Sequence, residues 1–313
     1  MLRAEEFEQY IRDEEIARMS ELGFDAMIPS KTVKAISKQA HVAANWEYQH
    51  KEARGWEEDT DGDKYHGKSM FLKFIRLDPG EYNGRTVLAA CVGRGKEVSH
   101  ILNFGASVVL VNEIGDGIYD IPRLFSSHMN QLVVCRSDVR YLPFKADVAA
   151  LAICDHALQH VEGYEKGYAA LLETLRPDGK IAICVYSHEN NFLMTHLIEP
   201  LKGLLHLLPL KILRFLSLLP AVLIYIYMKL VMGSRALISN KAVSRLPLHD
   251  HMVFWAPNGF QFIWLACFDL LHAPISHHFS KSEMERLATR ESQSITVLEH
   301  THGTTWSMVA VKD

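Results

Sequence analysis

The amino-acid sequence predicts an α/β fold in which a mostly parallel sheet is covered by helices on both faces. From residue 85 onward, short and almost wholly apolar runs alternate with helical stretches. Strands without polar alternation are typical of sheets that are buried on both sides. The 313 residues are 48% hydrophobic and 22% charged, which is an ordinary globular composition and excludes a disordered chain.

The predicted strands follow one another along the chain with helices between them. A glycine turn and a helix ending near Phe104 follow the first strand, and a helix over 164–175 precedes Arg176-Pro-Asp-Gly179. Helical crossovers between consecutive strands indicate parallel pairing. The strands are predicted over 86–92, 107–112, 131–135, 148–154 and 180–186, with an edge strand over 306–311.

Four segments of different character are predicted. Residues 1–80 have helical spacing and frequent charges, and form an N-terminal helical extension. Residues 81–189 form the α/β core, and 190–247 form an apolar and basic helical cap inserted after the fifth strand. Residues 248–313 complete the core and contribute a segment on the substrate side.

The insert has an unusual charge balance. Between 190 and 245 there are seven lysines and arginines against Glu199 alone. The longest uncharged run, 215–228, has fourteen residues including Pro220, fewer than the about 18–20 that a membrane-spanning helix needs. Three interpretations stay open, in order of preference: a cap packed on the domain or on a second subunit of a homodimer, a lid over an apolar acceptor pocket, or a peripheral patch on anionic lipid.

Composition also limits the compartment and the partners. The net charge of −4 gives no reason to expect nucleic-acid binding. The five cysteines are odd in number and form no C-x-x-C pair, which fits a reducing compartment. The first residues are acidic and lack the apolar core of a signal peptide. We therefore expect a cytoplasmic protein, with membrane contact, if any, through the insert.

The turn after the first strand is the first candidate binding site. In open parallel sheets ligands bind beyond the carboxyl ends of the strands. Here Gly93 and Gly95 allow the backbone to approach a ligand closely, and the next helix begins with free N–H groups. Further along, Glu113 ends a strand, where it could accept hydrogen bonds from both hydroxyls of a ribose. Asp138 could accept a hydrogen bond from the amino group of an adenine.

Taken together, these segments resemble the class I S-adenosylmethionine-dependent methyltransferases, which have a Rossmann-like fold. The similarity covers about a third of the chain. The sequence departs from the family pattern in the first turn, where Ala89 replaces an acidic residue and Cys91 replaces the first glycine. The matching segments are the glycine turn itself, Gly105-Ala-Ser-Val108, Asp138 with Leu142-Pro-Phe144, His160-Val161 and Leu175-Arg-Pro-Asp-Gly179.

The resemblance implies S-adenosylmethionine as the cofactor and assigns residues to its parts. Asn112 or Glu113 would hold the ribose, and Asp138 with Val139 the adenine. The residues expected to border the methionine part are Ala90, Cys91, Gly93 and Gly95, and those expected near the methyl group are Cys154, Asp155 and His156.

Methyl transfer itself requires little from the protein except alignment of donor and acceptor. A general base helps when the acceptor is a hydroxyl or a protonated amine. His156 and His160 are the candidates for this role, and the alternative is that both make structural hydrogen bonds. On the substrate side, His272 and His277 are expected to face the opening, and Trp46 to close over the cofactor or to pack.

Histidines are also frequent late in the chain, but they lack a metal-binding spacing such as H-E-x-x-H, so no metal site is expected. The sequence thus predicts an S-adenosylmethionine-dependent methyltransferase acting on a small lipophilic or aromatic O- or N-acceptor. Two alternatives stay open: non-methylating chemistry on the same fold, or a non-catalytic protein whose insert docks on a membrane or a partner.

Overall fold

A computed structural model of the protein describes residues 9–14, 67–205, 207–234, 237, 240–246, 248–290 and 293–313. Most of the predicted N-terminal extension lies outside the described residues, and so does Trp46. Within the described part, Ile11 is fully buried and forms an antiparallel bridge to Phe144. This short segment therefore packs on the core.

The described residues form one sheet of seven strands in the order β3-β2-β1-β4-β5-β7-β6. Strands β1 to β5 are parallel, and β7 is antiparallel to both β5 and β6. The predicted, mostly parallel sheet is confirmed. The strand order reverses between β1 and β4, which is where open α/β sheets bind ligands. The strands are β1 (Thr86–Ala90), β2 (Val108–Glu113), β3 (Leu132–Arg136), β4 (Ala149–Asp155), β5 (Leu175–Tyr186), β6 (Gln293–Thr301) and β7 (Thr305–Lys312).

Two strands differ from the sequence prediction. The edge position predicted for 306–311 is wrong, because β7 lies between β5 and β6. The edge belongs to β6, whose alternating exposed and charged side chains are typical of edge strands and weaken the apolar signal. Strand β5 begins earlier than predicted, at Leu175, which pairs with Ala149 ahead of a register shift.

Helices cover both faces of the sheet, as predicted. Alternate side chains of β1 enter two different cores: Val87 and Ala89 pack with α1 and α2, whereas Leu88 and Ala90 pack with α4 and α10. The helices are α1 (Lys68–Ile75), α2 (Lys96–Asn103), α3 (Ile121–Leu124), α4 (Tyr164–Thr174), α5 (Glu199–Leu205), α6 (Leu210–Leu216), α7 (Leu218–Met232), α8 (His249–Trp255), α9 (Gly259–His272) and α10 (Lys281–Arg290).

Helices α5 to α9 form a separate helical layer. From here on, the cap means this whole layer, which comprises the predicted insert together with α8 and α9. Helix α7 from the predicted insert packs against α8 and α9, which follow it, so that Met228 is buried with Trp255 and Ile263. The indole N–H of Trp264 donates to the carbonyl oxygen of Arg214 and to Ser217 Oγ, both at 3.0 Å. This contact holds α9 against the junction of α6 and α7.

Together α6 and α7 are long and apolar enough to cross a membrane, judged by length and composition only. The segment Leu210–Met232 has 23 residues and a mean hydropathy of 2.0, and 22% of its most apolar stretch is buried. The uncharged run alone, with Pro220 taken as a helix break, predicts a segment that is too short to span a membrane. Pro220 lies in the first turn of α7, where a missing N–H costs no helical hydrogen bond.

Candidate functional site

A cavity of about 600 Å³ opens at the carboxyl ends of β1, β2 and β4. This volume is typical of small-molecule binding sites. Its wall on the sheet side is polar and includes Gly93, Glu113 and Asp155. The cap supplies an apolar wall that includes Leu223 and Ile224.

The turn after β1 is built by three residues with left-handed backbone, Cys91 (φ 58°), Gly93 (φ 55°) and Gly95 (φ 86°). Cys91 therefore adopts a conformation that favours glycine. Cys91 and Gly93 line the cavity, whereas Gly95 does not. A Cβ atom on Gly95 would clash with the side chain of Ile121, so that this glycine serves packing behind the turn.

Of the two candidates for the ribose, Glu113 faces the cavity and Asn112 does not. Asn112 is fully buried, and its Nδ2 donates to the carbonyl oxygen and Oγ of Ser137, both at 2.7 Å. Glu113 accepts N–H bonds from Gly93 (2.7 Å), Ile114 (2.9 Å) and Gly115 (2.8 Å). Because a carboxylate has about four lone-pair positions, Glu113 keeps the capacity for a further hydrogen bond while it fixes the turn.

Asp138 and Val139 both line the cavity. The Asp138 carboxylate accepts hydrogen bonds from Arg140 Nε (3.0 Å), Arg140 Nη2 (2.6 Å) and the Arg140 backbone N–H (2.9 Å). The hydrogen bond that Arg140 donates to Asp138 raises the pKa of Arg140. An adenine amino group would thus share the Asp138 oxygens with this guanidinium.

Ala90 and Cys154 were predicted at the cofactor but do not line the cavity. Both are buried in the core on one face of the sheet, because their side chains point to that face and not to the cavity. Asp155, the last residue of β4, lines the cavity. Cys154 instead supports Cys91, whose pKa is raised by a hydrogen bond with it and by burial.

His156 is locked between two neighbours at the cavity wall. Its Nδ1 lies 2.6 Å from Asp155 Oδ1, its Nε2 lies 3.6 Å from Cys184 Sγ, and its backbone is left-handed (φ 48°). Burial opposes protonation, but the Cys184 sulfur and the Asp155 carboxylate outweigh it and raise the pKa of His156 well above its usual value. The raised pKa favours the protonated ring, which suits a hydrogen-bond donor better than a base.

The same three side chains place a carboxylate, an imidazole and a thiol within 4.8 Å of one another. The late histidines His251, His278 and His302 line the same cavity but do not belong to this group of three side chains. The short Asp155–His156 contact satisfies one ring nitrogen without a metal.

His160 has the opposite character. Its Nδ1 lies 2.6 Å from the carbonyl oxygen of Ile275 and donates to it, which leaves the lone pair on Nε2. Burial lowers the pKa of His160 to about 4. His160 lines the cavity and is neutral at physiological pH, so that it can accept a proton or a hydrogen bond there.

The prediction that His272 and His277 face the opening is wrong. His272 is buried against Phe268 and bonds Asp269 at 3.2 Å. His277 stacks on Tyr164 and bonds Glu283 at 3.1 Å, and neither histidine lines the cavity. The backbone of 277–279 is extended and forms hydrogen bonds to segments on both sides. Because side chains alternate in direction along an extended backbone, His278 lines the cavity and His277 does not.

Glu97, in the first turn of α2, lines the cavity and was not predicted. Its Oε2 is buried and has no hydrogen-bond partner among the described residues. Burial, together with the charge of Asp155, raises its pKa to about 8. A sequence signal was available, because the first turn of the helix after the glycine turn faces the ligand position.

Several aromatic and histidine residues of the cavity were also missed. His251 bonds Thr304 Oγ1 at 2.8 Å, and burial lowers its pKa to about 3. His302 stacks on Phe254 with ring centroids 3.9 Å apart, and burial lowers its pKa to about 4. These residues come from separate segments, so no local sequence pattern marks them. Phe74, Tyr186 and Trp255 complete this aromatic part of the wall.

No protein-family model matches the sequence, and a comparison with curated proteins gives no match either. Solved structures do match the fold. The Burkholderia thailandensis 1,6-didemethyltoxoflavin-N1-methyltransferase, solved with 1,6-didemethyltoxoflavin and S-adenosylhomocysteine, is similar at 13% identity over 88% of each chain, with a TM-score of 0.51. A chain from the complex between the Haloferax volcanii Trm112 methyltransferase activator and a methyltransferase is similar at 11% identity, covering 85% of this chain and 96% of that one, also with a TM-score of 0.51.

These similarities show that the chain shares the fold of these two methyltransferases. The resemblance stated from the sequence is thereby confirmed at the level of the fold.

Proposed function

We propose that the protein is an S-adenosylmethionine-dependent methyltransferase that acts on a small lipophilic or aromatic acceptor. The observation that carries the proposal is the set of carboxylates around the glycine turn, at the point where the strand order reverses. Fold alone does not define function, whereas the chemistry of these residues supports a specific ligand.

The residues present fit the cofactor. S-adenosylmethionine carries two cationic groups, a sulfonium and an ammonium, and a ribose with two hydroxyls. Glu97 offers a buried oxygen without a hydrogen-bond partner among the described residues, and a buried carboxyl is stabilised in its charged form by a cation. Glu113 can accept from a hydroxyl. Glu97 would thus supply the carboxylate that Ala89 does not.

The other wall of the cavity supports a lipophilic or aromatic acceptor. It is formed by aliphatic side chains of the cap and by aromatic rings, among them Phe74, Phe254 and Trp255. Aromatic walls with few polar groups select flat or apolar ligands. The toxoflavin-related methyltransferase, which has the same fold, was solved with a small heterocyclic ligand.

The cofactor would supply an activated methyl group, and the chain would align and shield the reaction. The apolar wall excludes water, which strengthens electrostatic interactions in the site. His160 Nε2 would accept a proton or a hydrogen bond from an O–H or N–H acceptor. His156, held by Asp155, would donate a hydrogen bond and keep the floor of the site rigid.

Calorimetric titration with S-adenosylmethionine and S-adenosylhomocysteine tests the cofactor site. We expect micromolar binding that Gly93→Val and Glu113→Ala weaken tenfold or more, since loss of a charge-assisted hydrogen bond costs about 1.5–3 kcal/mol. Gly80→Val is a matched control, because Gly80 has open space around its Cα, and Glu285→Ala removes an exposed carboxylate from α10. Absence of binding by the folded protein would overturn the proposal.

The acceptor class is tested by transfer of a labelled methyl group to a panel of phenols, aromatic amines and N-heterocycles of increasing hydrophobicity. We expect turnover to rise with hydrophobicity. Transfer only to charged, hydrophilic acceptors would contradict the lipophilic assignment and leave the cofactor assignment intact.

A further inference from the structure

The cap exposes a long apolar surface, which we call the apolar face. Phe215, Leu219 and Leu223 are 70%, 68% and 60% exposed. Positions three and four apart lie on one side of a helix, and the exposed apolar residues of α6 and α7 follow this spacing. Soluble monomers rarely expose contiguous apolar surface of this extent. The other members are Phe192, Leu197, Leu204, Leu207, Ile212, Leu216, Val222, Ile226 and Leu230.

The charged side chains around the apolar face are mostly basic. Glu199, the only acidic residue of 190–245, accepts a hydrogen bond from buried Lys202 at 3.0 Å. Lys211 of α6 and Lys229 of α7 are exposed. Lys241 and Arg245 are exposed in the segment that follows. An apolar helical face with a basic border is the pattern that binds anionic lipid surfaces.

The opposite side of α7 is held by the protein. Ala221, Met228 and Val231 are buried, and Ala221 and Met228 pack with Trp255 and Ile263 of the cap. A helix that crossed a bilayer would have to leave these contacts. The segment therefore fits a position in the plane of the membrane surface, where one side stays on the protein.

The apolar face also borders the cavity. Leu193 and Leu223 line the cavity and are at the same time 39% and 60% exposed. Pro220 and Ile224 of α7 line the cavity beside them. An apolar molecule could thus pass from this surface into the cavity without crossing a polar rim on that side.

We propose that the apolar face docks on an anionic membrane surface and that the cavity opens toward the bilayer, so that the acceptor is a membrane-dissolved lipophilic molecule. The docking step stands on the exposed surface and its charges. The statement about the acceptor rests on the proposed methyltransferase function.

Flotation with vesicles tests docking. The full chain is mixed with phosphatidylcholine vesicles that contain about one third phosphatidylglycerol, and with pure phosphatidylcholine vesicles. We expect flotation with the anionic vesicles, little with the neutral ones, and loss of binding at high salt. Phe215→Glu and Leu219→Glu should abolish it, whereas Lys211→Gln and Lys229→Gln should each weaken it about fivefold. Leu124→Glu, at an exposed leucine of α3 away from the cap, is the matched control.

A label at the cavity border tests the opening toward the bilayer. An environment-sensitive fluorophore on Leu223→Cys should shift to shorter wavelength with anionic vesicles and be quenched by lipids with brominated acyl chains. The same label on Leu124→Cys should do neither. The unsubstituted chain, with its five native cysteines, gives the background signal.

Three outcomes would overturn the docking proposal. The first is absence of flotation, or flotation that Phe215→Glu and Leu219→Glu do not change. The second is a dimer in solution that Leu219→Glu dissociates, since the face would then be covered by a second copy. The third is resistance to alkaline carbonate extraction, which would show a spanning helix.

Calorimetry with S-adenosylhomocysteine on the same preparations separates the two proposals. Protein that floats but does not bind S-adenosylhomocysteine would retain docking and lose the methyltransferase function. Protein that binds S-adenosylhomocysteine but does not float would do the reverse.

Discussion

At Glu97 a carboxyl group is held away from water close to the negative charge of Asp155, and these two effects raise its pKa to about 8. The group is therefore mostly protonated at neutral pH in the ligand-free protein. A cation that binds beside it stabilises the carboxylate and lowers its pKa. Binding should then release the proton.

Proton release is measurable. Titration of S-adenosylmethionine at pH 7 in two buffers of different ionisation enthalpy should show release of close to one proton, because the pKa falls from about 8 to below the buffer pH. Affinity should rise from pH 6 to pH 8 and level off above. Glu97→Gln should remove both effects, and Glu285→Gln neither. Equal heats in the two buffers would argue against a contact between Glu97 and the cofactor.

His160 makes a second residue-scale prediction. Its pKa is lowered to about 4, so its neutral form is present at neutral pH and is lost as the pH falls through about 4. Activity toward O–H acceptors should decline along this limb. His160→Gln should lower kcat by about 10²–10⁴ and leave S-adenosylhomocysteine affinity unchanged.

His277→Gln is the matched control for His160, because His277 lies outside the cavity. A His160→Gln enzyme with nearly full kcat would assign the residue to structure, through its bond to Ile275.

At the scale of elements, the start of α2 depends on Gly95. This residue has φ 86° and is the N-cap of the helix, and the space beside its Cα is taken by Ile121 and Phe125. The glycine turn is thus fixed from two sides, by the Gly93 N–H bond to Glu113 in front and by packing behind. Both glycines are predicted from the sequence to border the cofactor, whereas only Gly93 lines the cavity.

Replacement of Gly95 by alanine should destabilise the protein more than replacement of Gly84. Gly84 also has a positive φ (67°) but has open space around it. Gly84→Ala should cost about 1–2 kcal/mol for the left-handed backbone, and Gly95→Ala a further 1–3 kcal/mol, roughly, for overpacking. Urea denaturation of both variants measures the difference. Equal losses would show that the Ile121 side chain relaxes freely.

For the whole molecule, the cavity links the α/β core to the cap, because its walls come from both. The two sheet cores and the cap core contain different buried residues. A ligand that touches both walls should therefore stabilise the assembled protein as well as the turn.

Saturation with S-adenosylhomocysteine tests this. At about one hundred times the Kd, the free energy of unfolding should rise by about 2.7 kcal/mol, and Tm by roughly 4 °C for a chain of 313 residues. Gly93→Val should lose most of this shift at the same ligand concentration, and Gly80→Val should keep it. A Tm that does not respond to ligand concentrations that saturate calorimetric binding would contradict the expectation.

Features that are encoded locally were predictable from the amino-acid sequence. Strands β1 to β4 were predicted within two residues of their observed ends, because central parallel strands are continuous apolar runs bounded by turns. The glycine turn was also predictable, because glycine is favoured at backbone positions with a positive φ angle. The location of the acidic residues that end β2 and β4 was predictable, because it follows from the predicted ends of these strands.

Contacts between residues that are distant in the chain depend on long-range packing and were not predictable from the sequence. Edge strand β6 has no strong apolar signal, and the position of β7 between β5 and β6 depends on long-range pairing. The choice of His278 over His277 depends on a one-residue alternation that a sequence pattern leaves undetermined. Likewise, which side of α6 and α7 is exposed depends on the packing of the other side on α9. Hydrophobicity alone does not distinguish an apolar surface that is buried in the protein from one that is left for a partner or a membrane.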